Sequence, residues 1–90
     1  MIIYKYRLNP RTDLRLPVQS KVLTVHVQGE DICLWVKIPT GNDHPPVERR
    51  IFKTFPTGME FKNERLDYIG TSFMENGLVF HTFEQKDVVK

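Results

Sequence analysis

Hydrophobic and polar positions alternate with a period of two along most of this chain, the spacing of strands that bury one face. Ile2, Tyr4, Tyr6 and Leu8 share one side of the opening segment, with Ile3, Lys5 and Arg7 on the other, until Asn9-Pro10 ends it. A short Leu14-Arg15-Leu16-Pro17 stretch leads into Lys21 to Gln28, where Leu23, Val25 and Val27 oppose Val22, Thr24 and His26. The turn residues Gln28-Gly29-Glu30-Asp31 predict an antiparallel hairpin between that segment and Ile32 to Ile38. Ile32, Leu34, Val36 and Ile38 then form one apolar row, with Cys33, Trp35 and Lys37 opposite.

Residues 39–46 hold three prolines in eight positions, which predicts an exposed loop. Alternation resumes over Glu48 to Phe55. Arg50, Phe52 and Thr54 oppose Arg49, Ile51, Lys53 and Phe55, so both faces are mixed and periodicity alone does not choose the inner one. Pro56-Thr57-Gly58 closes this strand, and a short helical turn is expected within Phe61 to Leu66. Tyr68 to Met74 and Leu78 to Phe83 flank Glu75-Asn76-Gly77, where Asn-Gly supplies the positive φ of a tight hairpin.

These segments predict an all-β fold, a small antiparallel sandwich or partly open barrel of about six strands with at most one short helical turn. Residues 1–84 form the single expected domain, and the charged tail 85–90 is expected to fray. Composition agrees: 32 of 90 residues are β-branched or aromatic and none is alanine. A domain of this size buries only ~60–65% of its unfolded surface, so modest monomer stability and a homo-oligomer, a dimer or tetramer, are expected.

Function classes narrow by exclusion. No apolar run approaches the ~20 residues of a membrane helix, so no membrane partner is expected and the chain is placed in the cytoplasm. One cysteine and three scattered histidines give no metal-binding spacing. No GxSxG, Walker, GxGxxG or HExxH pattern is present, so neither a cofactor nor an enzymatic activity is expected. Cys33 lies within an apolar strand, where burial makes a thiol inert, and His81 is read as a packed or hydrogen-bonded strand histidine. The net charge of +2 is too mild to steer a long nucleic acid. The basic N-terminal arm, five cations against Asp13 through residue 22, reads as a solvated face that protects a strand edge.

Binding chemistry is better represented. Arg50 and Lys53 accompany Phe55 on a strand ending at Thr57-Gly58, a combination suited to phosphates and stacked bases, although a solvated outer face would look the same. Trp35 either packs in a second core or interface or offers a stacking surface.

Six pieces in order carry a resemblance: Tyr4-Lys5-Tyr6, Lys21 to Val25, Ile32-Cys33-Leu34-Trp35, Arg50-x-Phe52 with Phe55-x-Thr57-Gly58, Tyr68-Ile69-Gly70-Thr71, and Val79 to Glu84. The chain resembles a family of small bacteriophage-encoded domains of unknown function. It departs from that pattern at Pro56, where a glycine is expected, and in a longer proline-rich loop. The resemblance extends to phage anti-defence sponges of the anti-CBASS type, which sequester cyclic oligonucleotide signals without cleaving them.

It implies a non-enzymatic immune-evasion protein in the cytoplasm of an infected bacterium, with a cyclic di- or trinucleotide as ligand. Arg50 and Lys53 would pair with phosphates, Thr57 and the Gly58 amide would hydrogen-bond, and Phe55 or Trp35 would stack. The alternative is a phage accessory protein that inhibits a host protein through an exposed strand edge and the Trp35 face.

Overall fold

The computed structural model describes residues 1–62 and 65–86, and it is all-β. Seven strands form two antiparallel sheets: β1 (Ile2–Arg7), β2 (Arg11–Pro17), β3 (Lys21–Gln28), β4 (Asp31–Ile38), β5 (Val47–Pro56), β6 (Leu66–Phe73) and β7 (Val79–Gln85). The first sheet has the order β1-β4-β3 and the second β2-β5-β7-β6. The chain changes sheets at Leu8-Asn9-Pro10, where Leu8 N–H still donates to Ile32 O and Pro10 O already accepts from Thr54 N–H. At the other side β3 and β6, edge strands of different sheets, run beside each other.

The sequence predicts about six strands, and the described residues form seven. The additional one is β2, which completes an alternation of Thr12, Leu14 and Leu16 inward against Arg11, Asp13 and Arg15. Gln85 is the last residue of β7 and Lys86 N–H donates to Arg65 O, so the paired chain extends beyond Glu84. The helical turn expected at Phe61 to Leu66 falls partly on residues 63–64, outside the described residues; Phe61 and Lys62 carry no regular structure and Leu66 begins β6. The remainder of the tail, 87–90, also lies outside them.

Between the sheets sit Leu8, Leu16, Val25, Leu34, Val36, Ile38 and Phe52, with Tyr6, Leu14, Val22, Ile32 and Ile69 packed against them. The aliphatic row of β4 therefore faces inward as its periodicity predicts. β5 resolves its two mixed faces by turning Arg50, Phe52 and Thr54 inward. In β3, Val22 pairs with Val36 and Thr24 with Trp35, so Leu23 bulges out and the strict alternation expected there is broken. Val22 consequently faces the core while Leu23 is exposed.

β6 carries a second bulge at Ile69, between Tyr68 opposite Phe83 and Gly70 opposite Thr82. It sets Gly70 so close to the first sheet that a Cβ there would lie 2.7 Å from Val25 Cγ1. Both predicted hairpins form: Gly29 adopts φ 62° between Gln28 and Asp31, and Gly77 adopts φ 91° where its N–H donates to Met74 O. Residues 39–46 form the exposed loop, tied to the body through Val18 N–H donating to Pro46 O.

Candidate functional site

Strand pairing decides which of the predicted site residues meet. Because β5 turns Phe52 inward, Lys53 and Phe55 are presented on the outer face of the four-stranded sheet. There Lys53 lies opposite Phe83 and Phe55 opposite His81, and one strand further Tyr68 lies opposite Phe83 and Thr71 opposite His81. Phe61 returns from the segment after β5 and stacks on Phe55, ring centroids 4.2 Å apart and planes 6° from parallel. Phe83 meets Phe55 and Phe61 at 6.1 and 5.8 Å, and Tyr68 closes the group edge-on to Phe83 at 5.6 Å.

Four rings thus gather on an open sheet face, and Tyr68 and Phe61 remain exposed. Beside them Lys53, Phe55, Phe61, Lys62 and Leu66 line a depression of about 200 Å³. A polar row adjoins the rings. Thr57 Oγ1 lies 2.7 Å from His81 Nε2, Thr71 Oγ1 lies 3.1 Å from His81 Nδ1, and Tyr68 OH lies 2.5 Å from Thr71 Oγ1. Both ring nitrogens of His81 are engaged, in keeping with the hydrogen-bonded strand histidine expected. Neutral imidazole donates through one nitrogen and accepts through the other, so the row has a direction set by its tautomer.

Thr57 and Gly58 occupy the end of this face. Thr57 N–H is committed to Val79 O, while Gly58 turns the chain at φ 91° with open space around it. Lys53, Phe55 and Thr57 therefore follow one another along this face, with Gly58 in the turn that ends it.

Arg50 and Trp35 are not part of that group. Arg50 points between the sheets, where Nε and Nη2 each donate to a Glu84 carboxylate oxygen at 2.7 Å and Nη1 donates to Ser20 O at 2.7 Å. Its guanidinium also lies 5.9 Å from the Phe52 ring centroid. The bonds to Glu84 hold Arg50 protonated above the ordinary arginine range, outweighing burial, which acts the other way. Three of its five N–H donors, one from each nitrogen, are turned to internal partners, an arrangement of structural rather than ligand-binding character. Trp35 stands on the outer face of the three-stranded sheet, across the sandwich from Phe55. Cys33 is buried beside it in β4, as expected.

A larger cleft of about 510 Å³ opens at the end of the sandwich between the hairpin turns, lined by apolar groups such as Ile32, Met59, Met74 and Phe80. Its rim carries Glu30, Asp31 and Arg7, and Arg7 is paired with Asp31 at 3.2 Å. That rim repels an anionic guest, whereas the ring cluster lies beside two lysines. Among the described residues no group of three His, Cys, Asp or Glu side chains is placed to hold a metal ion, and no helix is long and apolar enough to cross a membrane.

Phe61, Tyr68, Thr71, His81 and Phe83 were not assigned to the site from sequence. The register of the last hairpin, which sets Tyr68 against Phe83 and Thr71 against His81, is the signal that would have found four of them. The chain belongs to the family described as Domain of unknown function (DUF7352), whose model matches residues 1–90. No curated protein and no solved structure matches it.

Proposed function

We propose that this protein is a non-catalytic binder that sequesters a cyclic di- or trinucleotide on the outer face of its four-stranded sheet and releases it unchanged. In this reading it is a phage-encoded anti-defence factor of the sponge type, acting in the cytoplasm of the infected bacterium. The observation that carries the reading is the Phe55, Phe61, Phe83 and Tyr68 cluster with Lys53 and Lys62 at its margin. Each base stacked on such a ring contributes about 1–3 kcal/mol, and ammonium groups beside the rings meet phosphates. His81 and its two threonines offer hydrogen bonds to a base edge or ribose.

One open face stacking two bases yields only about 2–6 kcal/mol, far from the ~12 kcal/mol of a nanomolar complex. Two or more copies closing over the guest supply the missing walls, so a dimer or tetramer is part of the proposal. Arg50, held by Glu84, drops out of the ligand set, and Trp35 reaches such a guest only from a neighbouring copy.

The test is to equilibrate the full chain with a mixture of cyclic di- and trinucleotides, remove unbound material, heat-denature and identify what is released. Intact nucleotide is expected, together with a melting temperature raised by about 10 °C or more at ligand concentrations near 100 times Kd. Phe61→Ala, which alters an exposed ring outside the strands, should abolish both effects. Recovery of no nucleotide, or of a chemically altered one, would overturn the reading.

A second reading rests on β1, an edge strand with exposed Ile2, Ile3 and Tyr4, which fits a protein partner adding a strand there. It predicts a stable complex with a host protein that cyclic nucleotides do not affect.

A further inference from the structure

The outer face of the three-stranded sheet has a charge pattern that folding alone does not account for. Three rows cross it from β1 through β4 to β3: Ile3, Lys37 and Lys21; Lys5, Trp35 and Thr24; Arg7, Cys33 and His26. Among the described residues, four cations stand here against one carboxylate, Asp31, which pairs with Arg7. The whole chain carries only +2, so this face is more positive than the chain's average surface, although the outer face of the other sheet also carries Arg11, Arg15, Arg49 and Lys53 around Asp13. Lys5 Nζ donates to Gln28 Oε1 at 2.5 Å.

Lys21 and Lys37, by contrast, are direct cross-strand partners, and among the described residues the side chain of neither has an ion-pair or hydrogen-bond partner. Like charges directly opposite each other destabilise a sheet. Edge protection explains neither Lys37 nor Trp35, because β4 is the central strand. Next to this lysine pair, Ile3, Leu23, Thr24, His26 and Trp35 line a shallow depression of about 350 Å³, with Ile3 and Leu23 exposed.

We propose that this face is a second binding surface, and that its ligand is single-stranded nucleic acid. A backbone phosphate neutralises the Lys21–Lys37 pair, and a neighbouring base lies in the depression against Trp35. An aromatic ring set among unpaired cations on an open sheet is the chemistry that binds single strands. A polypeptide partner reads a sheet through its edge, whereas these groups occupy the middle of a face. A second copy is unsuited as occupant, since a two-fold contact through this face sets lysines against lysines.

The molecule's one tryptophan makes the test direct. Titration of the full chain with an oligothymidylate of about twenty nucleotides at low salt should quench Trp35 fluorescence, with affinity falling steeply as salt rises. Lys21→Gln/Lys37→Gln should weaken binding roughly tenfold at low salt and flatten the log–log salt slope by about 0.7, the share of one neutralised phosphate on a single strand. The same variant should melt no lower than the parent, because it removes a repulsion. Trp35→Phe, which keeps a ring in place, should retain binding measured by anisotropy of a labelled oligonucleotide, whereas Trp35→Ala should lose it roughly tenfold or more.

Phe61→Ala should leave oligonucleotide binding intact, so this surface stands or falls separately from the cyclic-nucleotide site. Absence of quenching, binding indifferent to the lysine variants, a lowered melting temperature of the double variant, or polyglutamate displacing the oligonucleotide equally well at matched charge would each overturn the proposal.

Discussion

Replacing Glu84 by alanine strips the Arg50 guanidinium of its carboxylate while leaving it between the sheets. The pair is bidentate, and the two side chains retain only 15% and 21% of their exposure. Removing one partner of a fully buried ion pair costs about 3–5 kcal/mol. Here residual solvent and the surviving bond to Ser20 O reduce that to about 2–3 kcal/mol. For a domain of this length, with total stability of about 5–13 kcal/mol, that is a large share. The melting temperature should fall by about 10–20 °C, and the urea midpoint, followed through Trp35 fluorescence, by about 1–2 M.

Arg50→Met/Glu84→Ala should be less damaging than the sum of its two single changes, with a coupling energy of about 1.5 kcal/mol or more. A midpoint that moves by less than about 0.3 M in Glu84→Ala, or coupling near zero, would refute the structural role of the pair. Arg50 would then be available for a ligand, as its residue type alone suggests.

Gly70→Ala places a methyl 2.7 Å from Val25 Cγ1, so a stiff β-branched core side chain must shift; a loss of about 1–3 kcal/mol is expected in urea unfolding, largely restored by Val25→Ala in the same chain. Asp13 is held below the usual carboxylate range first by its hydrogen bond from Arg49, so its contribution to stability is complete above the unfolded value of about 4 and disappears as pH falls through the folded one. Asp13→Asn should accordingly make the acid limb of a melting-temperature profile shallower below about pH 4 while leaving its alkaline limb unchanged, and an unaltered acid limb would contradict the assignment.

The parts of this fold legible in the sequence are those whose alternation is clean and whose turns are marked by glycine. β4 exposes its inner row directly, and Gly29 and Gly77 fix two hairpins. β2 was harder to read because three of its seven residues are charged and only Thr12, Leu14 and Leu16 face the core. The bulge at Leu23 defeats a strict period of two by adding one residue, which no local pattern announces.

For Arg50, the sequence already grouped it with Phe52 and Thr54 on one side of its strand. An arginine on a face that proves to be the core face implies an internal counter-charge, but Glu84 lies 34 residues away and is identified only by the pairing of β5 with β7. The ring cluster is dispersed in the same manner. Phe55, Phe61, Tyr68 and Phe83 come from three strands and a connecting segment, and none is a neighbour of another in the chain.

The two bulges give β3 and β6 opposite tolerances to insertion and deletion. Losing Leu23 would leave Val22 opposite Val36 and Thr24 opposite Trp35, so every later side chain of β3 keeps its orientation. Losing Ile69 would likewise preserve the pairing of β6, but it would remove a residue packed against the core. Relatives one residue shorter should therefore carry the gap at position 23 rather than at 69, and an alignment forced to place it elsewhere within β3 would exchange inward and outward residues for part of that strand.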